Sequence, residues 1–343
     1  MPEPRFESLG VYLPERRLRS DELMQGLPFR NPALLRGITG IVERRVRAPG
    51  EDSVVLAIRA AEVCLARSSY AAEELDVVVS GSITHFHPEG VVRTEPPTSL
   101  SVAQAIGAER AQCIDLSNAC AGMLTAALVL DGLIRTGAVR RGLVVSGECI
   151  TPIAESAMRD VRSLLDPQFA SLTVGDAGAA FVLDDRGRPE ERIDFVEIVT
   201  LAEHAELCIG TPNRDHGGAS MYSQAGELSR VGSGSDFART VLEALARQGR
   251  RLDRKDYEHV VFHQVSPINI KKHLSHFRDS CGLELPNAPI CVDELGNTAS
   301  TSHFVALERA LRSEEVAAGD RVLLLVQASG INLGVLSARL GAL

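Results

Sequence analysis

The chain lacks the features that mark several common classes of protein. It has no apolar run long enough to span a bilayer, so we expect no membrane-embedded segment. Its seven cysteines include no C-x-x-C pair, which argues against zinc and disulfide frameworks and favours reduced thiols. A net charge of −9 argues against nucleic acid as a partner. Tryptophan is absent, so no indole ring is available to pack on a ligand.

What the chain does contain is typical of a globular protein. Its 343 residues are 45% hydrophobic and 24% charged, which predicts two domains or one large duplicated domain. The polar residues 1–10 do not form a secretory signal, and we expect a cytoplasmic protein. The histidines outside the motifs described below show no metal-ligand spacing with carboxylates, so we predict no metal site.

One stretch, residues 115–130, combines a polar opening, a cysteine and a long run rich in alanine and leucine. The run predicts a buried helix, with Ser117 and Asn118 as favourable N-terminal cap residues. Cys120 would then lie in the first helical turn, where free N–H groups and the helix dipole lower the pKa of a thiol. The stretch alone leaves two interpretations open: Cys120 is a catalytic nucleophile, or it is a small buried core residue.

Helical segments alternate with short apolar strands, which predicts an α/β fold. The second half of the chain repeats the plan of the first half. Three matched positions give offsets of 183, 178 and 180 residues, namely Ser80 with His263, Asp115 with Asp293, and Leu143 with Leu323. This spacing indicates an internal duplication, with one half at residues 1–185 and the other at residues 186–343.

Two similar halves would pair about a pseudo-twofold axis, so that equivalent strand ends and helix starts meet near the middle, where ligands bind. A strand at residues 290–293 would match the strand at residues 112–116. The turn after it carries Asn297 where the first half carries Cys120, and His263 follows another buried strand. Taken singly, His263 fits a structural histidine and Asn297 fits a helix cap. If the halves face each other, the three side chains converge.

These residues lie in motifs that resemble those of the thiolase superfamily, in the same order and spacing. The motifs occupy residues 118–122 (NACAG), 175–176 (GD), 263–264 (HQ), 296–298 (GNT) and 329–334 (SGINLG). Over most of its length the chain is similar to β-ketoacyl-acyl-carrier-protein synthase III and its stand-alone relatives in polyketide and secondary metabolism. The resemblance implies a five-layered αβαβα fold and a homodimer.

The resemblance also implies a role for each residue. Cys120 would accept an acyl group as a thioester. His263 and Asn297 would donate hydrogen bonds to the thioester carbonyl of the second substrate and stabilise its enolate. The backbone N–H groups of Cys120 and Gly330 would form the oxyanion hole. No metal or redox cofactor is implied, because the substrates are acyl-CoA thioesters or thioesters on the phosphopantetheine arm of an acyl carrier protein.

The chain departs from the family pattern around the expected pocket and entrance. Ser266 stands where an asparagine usually supports the histidine, and Ile268 where an arginine usually contacts coenzyme A or the carrier. His87 replaces a common pocket-lining phenylalanine and is followed by an insert at residues 89–96, and the residue before Ser329 is not the usual glycine. We therefore predict that His87, Ser266, Ile268 and Ser329 belong to the pocket or entrance. Together with the missing tryptophan, they favour carrier-bound or more polar chains over coenzyme A priming of fatty acid synthesis.

The resulting hypothesis is an acyltransferase, a ketosynthase III-like condensing enzyme of polyketide or other secondary-metabolite biosynthesis. It would join the acyl group on Cys120 to a second malonyl- or β-ketoacyl thioester. One alternative is an acyltransferase of the same fold that passes the acyl group to an oxygen or nitrogen acceptor. A non-catalytic partner subunit would typically lack Cys120, and a dinucleotide-binding oxidoreductase would need G-x-G-x-x-G spacing, which residues 175–178 lack.

Overall fold

Two mixed β-sheets form the framework of the structure, a computed structural model that describes residues 2–27, 32–87, 91–213, 215, 218–232, 235–253, 255–286 and 288–343. The strands are β1 Arg5–Tyr12, β2 Arg17–Arg19, β3 Glu43–Arg45, β4 Val77–Ser80, β5 Gln112–Asp115, β6 Arg141–Glu148, β7 Ala177–Asp184, β8 Arg192–Thr200, β9 Cys208–Pro212, β10 Ala219–Ser223, β11 His259–Phe262, β12 Arg321–Ala328 and β13 Asn332–Arg339. The helices are α1 Ser20–Gln25, α2 Pro32–Thr39, α3 Ser53–Arg67, α4 Thr98–Ile106, α5 Gly122–Arg135, α6 Thr151–Asp160, α7 Ala225–Gly232, α8 Ser235–Arg247, α9 Pro267–Cys281, α10 Val292–Leu295 and α11 Ser302–Arg312. Residues 89 and 90 of the insert lie outside the described residues.

The two sheets have the same strand order. The first runs β1-β7-β6-β4-β5, and the second runs β8-β13-β12-β11. In the first sheet β4 is parallel to both β5 and β6, and the pairs β6–β7 and β7–β1 are antiparallel. In the second sheet β11 and β12 are parallel, and the pairs β12–β13 and β13–β8 are antiparallel. All strands of the first sheet lie within residues 1–185 and all strands of the second within residues 186–343. This partition supports the two-half division, which we retain as a proposal.

The second sheet is one strand shorter than the sequence predicts. The prediction of a strand at residues 290–293 is wrong, because the short helix α10 already begins at Val292. A parallel partner beside β11 is therefore not formed by this segment, and the described part of the second sheet ends at β11. The backbone N–H of Val42 donates instead to the carbonyl of Asp293, so the segment packs against the loop before β3.

Helices α5 and α11 lie between the two sheets and are buried on most faces, as the alanine- and leucine-rich sequence of α5 requires. The rings of Phe181 on β7 and Phe304 on α11 pack with centroids 4.6 Å apart, which joins the halves in one central core. Helices α3 and α4 cover the outer face of the first sheet, and α8 and α9 cover that of the second. The predicted five-layered αβαβα, thiolase-like fold is confirmed.

Each central helix is preceded by the same unusual turn. Ala119 has a φ of 45° and Ala299 a φ of 52°, although neither is glycine, and the two positions are 180 residues apart. Each alanine opens a short 3-10 segment, Ala119–Ala121 and Ala299–Thr301, that leads directly into α5 or α11. A left-handed alanine costs about 1 kcal/mol, so its repetition indicates that both turns are constrained by what they hold in place.

In the described part of the chain, no helix is both long and apolar enough to cross a bilayer.

Candidate active site

Cys120, His263 and Asn297 line one cavity of about 310 Å³ between the halves. Cys120 comes from the turn before α5, His263 follows β11, and Asn297 precedes the turn before α11. Most of the remaining wall is apolar and includes Ile83, Ile150, Ile153, Val174, Met221, Leu228 and Val265. A nucleophile, an imidazole and a carboxamide therefore share a largely apolar chamber, where hydrogen bonds and charges act more strongly than in water.

The Cys120 thiol is held in a state that the sequence does not predict. The backbone N–H groups of Cys120 and Ser329 lie near its sulfur and favour the thiolate. Burial opposes them most strongly, followed by the carboxylate of Glu148 and the thiol of Cys208, and the net effect raises the pKa of Cys120. The predicted lowering of the pKa is wrong, and the resting group is a neutral thiol.

The predicted helix cap is confirmed only in part: Asn118 is the N-cap position of the 3-10 segment Ala119–Ala121, which contains Cys120, but its side chain makes no cap hydrogen bond. Helix α5 begins at Gly122, after the 3-10 turn, and its N-cap residue is Ala121 rather than Ser117 or Asn118. The side-chain Nδ2 of Asn118 donates to the hydroxyl of Thr125 at 2.8 Å and caps no backbone N–H group. Cys120 therefore lies just before the helix, where the dipole acts on it but does not outweigh burial.

Glu148, at the end of β6, is a fully buried carboxylate that the sequence analysis did not single out. It accepts hydrogen bonds from the backbone N–H groups of Ile83 and Thr84 at 2.9 and 3.2 Å, from the Thr84 hydroxyl at 3.0 Å and from the Ser146 hydroxyl at 3.2 Å. Ser300, from the turn before α11, donates a further short hydrogen bond. These donors satisfy the buried charge and tie the first sheet to the turn that follows Asn297.

The imidazole of His263 is buried and neutral. Its Nδ1 atom lies 2.6 Å from the hydroxyl of Ser302, and its ring stacks on the ring of His303 with centroids 5.4 Å apart and planes 19° from parallel. Burial, and then the neighbouring His303 and His273, hold the pKa of His263 well below its usual value of 6.5. A neutral imidazole with Nδ1 engaged leaves Nε2 as the nitrogen available to a ligand.

Backbone contacts on both sides fix the position of Asn297. Its N–H donates to the carbonyl of Thr173 at 2.9 Å, and its carbonyl accepts from the N–H of Gly175 at 3.0 Å. Its side-chain Oδ1 accepts from the N–H of Ala299 at 2.9 Å, so Nδ2 is the end of the amide that can donate to a ligand in the cavity. Gly175 must be glycine, because a Cβ there would lie 2.0 Å from the carbonyl oxygen of Leu295.

The other predicted residues are only partly in the site. Ser329 lines the cavity, and its backbone N–H lies near the Cys120 sulfur. The oxyanion hole expected from the N–H groups of Cys120 and Gly330 stays a prediction. Ser266 is the N-cap of α9, and its hydroxyl accepts from the N–H of Asn269 at 3.0 Å. Val265 and Asn269 of this segment line the cavity, whereas Ile268 is not among its described lining residues. Pro267 begins α9 here, so the chain is already helical at position 268.

His87, which is predicted to belong to the pocket or entrance, is outside the described lining of the cavity. Its Nε2 atom lies 2.8 Å from the guanidinium of Arg93, and its Nδ1 atom lies 3.6 Å from a carboxylate oxygen of Asp52. Phe86, the preceding residue, is the one that packs inward, beside Ile150. No group of three or more possible metal ligands is found among the residues that the structure describes.

Comparison with known proteins identifies the family of the chain. Residues 114–201 match the family model of 3-oxoacyl-[acyl-carrier-protein] synthase III, and residues 247–340 match the model of its C-terminal part. A β-ketoacyl-[acyl-carrier-protein] synthase III of Alkalilimnicola ehrlichii is 30% identical over 341 residues, which covers 96% of this chain and 97% of the relative. The chain belongs to the β-ketoacyl-[acyl-carrier-protein] synthase III family. As a member of this family, it is an acyltransferase of the condensing type.

Solved structures show the same fold at lower identity. β-Ketoacyl-[acyl-carrier-protein] synthase III of Thermus thermophilus superposes with a TM-score of 0.82 at 24% identity, over 99% of this chain and 100% of that one. Xanthomonas campestris OleA, crystallised with lauric acid and lauroyl-CoA, gives a TM-score of 0.84 at 21% identity, over 98% and 99% of the two chains.

Proposed function

We propose that this family member joins an acyl group carried on Cys120 to a second, malonyl- or β-ketoacyl, thioester by carbon–carbon bond formation. One observation supports the proposal above all others. A thiol and two neutral groups able to donate hydrogen bonds, His263 and Asn297, line the same apolar cavity. The thiol suits acyl transfer, and the donors suit stabilisation of an oxyanion.

The first step is transfer of the acyl group to the sulfur. Cys120 attacks the thioester carbonyl, the carbon–sulfur bond of the donor breaks, and the thiol proton passes to the departing thiolate of coenzyme A or of the carrier. The products are an acyl-Cys120 thioester and a free thiol. The proposed oxyanion hole for the tetrahedral intermediate is formed by the backbone N–H groups of Cys120 and Gly330, and the N–H of Ser329 lies near the sulfur.

The second step forms the new bond. With a malonyl thioester, the bond to the carboxylate breaks, carbon dioxide leaves and the electron pair enters the enolate. His263 through Nε2 and Asn297 through Nδ2 donate to the enolate oxygen. The enolate carbon attacks acyl-Cys120, and the sulfur leaves as a thiolate that regains a proton. The apolar wall keeps water from hydrolysing the acyl-enzyme.

We propose further that the acceptor arrives on the phosphopantetheine arm of an acyl carrier protein and that the product belongs to polyketide or other secondary metabolism. The absence of tryptophan and the apolar Ile268 at the expected coenzyme A contact support a carrier-bound substrate. A cytoplasmic homodimer is proposed as well. The edge strand β5, with exposed Gln112 and Asp115, offers a free strand edge for a second copy.

The test supplies the purified protein with acetyl-, octanoyl- or lauroyl-CoA as donor and with carboxyl-labelled malonyl-CoA or malonyl-carrier as acceptor. We expect release of labelled carbon dioxide together with a β-keto thioester. Transfer of the acyl group to an oxygen or nitrogen acceptor, without carbon dioxide and without a β-keto product, would refute condensation and support the alternative acyltransferase.

A further inference from the structure

We propose that Ser302 is a positioning residue for catalysis, whose hydroxyl donates to Nδ1 of His263 and thereby presents the protonated Nε2 to the cavity. The inference rests on the function proposed above, because it identifies what makes His263 a donor. Ser302 is outside the described lining of the cavity, so it acts through His263 and not on the substrate.

The direction of the hydrogen bond follows from the surroundings of the Ser302 hydroxyl. The oxygen lies 2.6 Å from Nδ1 of His263 and 3.3 Å from the backbone nitrogen of Gln264. A backbone N–H can only donate, so it occupies one lone pair of the oxygen, and among the described contacts Nδ1 is the one group that can accept the hydroxyl proton. In a neutral imidazole, an Nδ1 atom that accepts a hydrogen bond belongs to the tautomer with the proton on Nε2.

Two further contacts prevent the ring from turning away. The carbonyl of Leu325 accepts from the backbone N–H of His263 at 2.9 Å and lies 3.1 Å from Nε2 of His303. The His303 ring, anchored in this way, stacks on His263. Ser302 is only 1% exposed, so water cannot easily replace its hydroxyl. The imidazole is thus held at one edge by Ser302 and on one face by His303.

The position of Ser302 couples the two donors of the site. Ser302 is the first residue of α11, and the 3-10 turn before it, Ala299–Thr301, begins with the N–H that binds Oδ1 of Asn297. One helix start therefore orients both the carboxamide and the imidazole. Ser266 does not perform this task, because the hydrogen bond described for its hydroxyl is with the N–H of Asn269 and not with His263.

The experiment separates the two half-reactions in Ser302→Ala, in Ser302→Thr, which keeps a hydroxyl, and in the control Ser313→Ala at the far end of α11. Acylation of Cys120 by lauroyl-CoA is followed by intact mass, and decarboxylation of malonyl-CoA by release of labelled carbon dioxide. In Ser302→Ala we expect decarboxylation to fall by about 100-fold, as for loss of an oxyanion donor, with acylation within about twofold of wild type. Ser302→Thr should decarboxylate malonyl-CoA about tenfold or more faster than Ser302→Ala, and Ser313→Ala should match wild type in both half-reactions.

Two results would overturn the positioning role. One is wild-type decarboxylation in Ser302→Ala, and the other is an equal loss of both half-reactions, which would indicate a structural role. If Ser302→Ala does not fold, Ser302→Cys, with its weak S–H donor, must show the same selective loss. Absence of decarboxylation in wild type would instead refute the proposed function, and this inference with it.

Discussion

The starts of α5 and α11 share one backbone design but hold their neighbouring strands in different ways. In the first half, Gly122 begins α5 and packs directly on Gly81, the residue after β4, so that a Cβ on Gly122 would lie 2.1 Å from the Gly81 carbonyl oxygen. In the second half, Ser302 begins α11 and meets His263, the residue after β11, through side chains. The same backbone turn is thus used in two ways. It allows a close backbone contact near Cys120 in the first half, and it places the Ser302 side chain against His263 in the second.

Of the changes that test this difference between the halves, removal of the hydrogen-bond donors of the second half should have the largest effect on activity. We expect His263→Ala and Asn297→Ala each to slow malonyl-CoA decarboxylation by about 10²- to 10³-fold, because each removes a hydrogen bond to the enolate. Acylation of Cys120 belongs to the first half and should stay within about threefold of wild type. His204→Ala, outside the described cavity lining, is the control. Equal slowing of both half-reactions would contradict the division of roles.

The backbone contact of the first half can be broken with a single methyl group. Gly122→Ala should lower the free energy of unfolding by about 3 kcal/mol, because the added Cβ overlaps the Gly81 carbonyl and α5 must move away from β4. Chemical denaturation followed by far-ultraviolet circular dichroism measures the change. A stability equal to that of wild type would contradict the close contact, because it would mean that a methyl group fits between Gly122 and Gly81.

The pH dependence of Cys120 reports its environment. Burial and the Glu148 carboxylate raise its pKa above the ordinary value of about 9, so the thiolate fraction should still be rising at pH 9. We expect alkylation of the Cys120 peptide by iodoacetamide to accelerate about tenfold per pH unit between pH 7 and 9. A rate that levels off below pH 8 would show instead that the helix start and the two N–H groups dominate.

The smallest effect is expected at Gly132, further along α5. Nothing lies within 4 Å of a Cβ built there, so Gly132→Ala should raise the free energy of unfolding by about 0.5–1 kcal/mol through helix propensity. The same denaturation experiment measures it and provides the matched control for Gly122→Ala. Destabilisation at both glycines would indicate a general intolerance of α5 rather than a specific contact.

The sequence predicts the fold and the three converging residues because the duplication is visible as a period. Buried strands and their following residues repeat at offsets near 180, which is sufficient to place Cys120, His263 and Asn297 at equivalent strand ends and helix starts. The absence of a fifth strand from the described part of the second sheet was not predictable in this way, because an apolar run at residues 290–292 fits a strand or a short helix equally well.

The supporting residues could not be predicted from the sequence. Glu148 and Ser300 are 152 residues apart, and nothing in their local pattern indicates a hydrogen bond. The pKa of Cys120 depends on burial and on that distant carboxylate, whereas local reasoning considered only the helix start.

The claim that Cys120 carries the acyl group is tested most directly by intact-protein mass spectrometry with peptide mapping. Wild-type protein incubated with acetyl-, octanoyl- or lauroyl-CoA should gain the mass of one acyl group from at least one donor, on the peptide that contains Cys120. The Cys120→Ala protein should gain none. No gain in wild type with any of the three donors, or an unchanged gain in Cys120→Ala, would contradict the account.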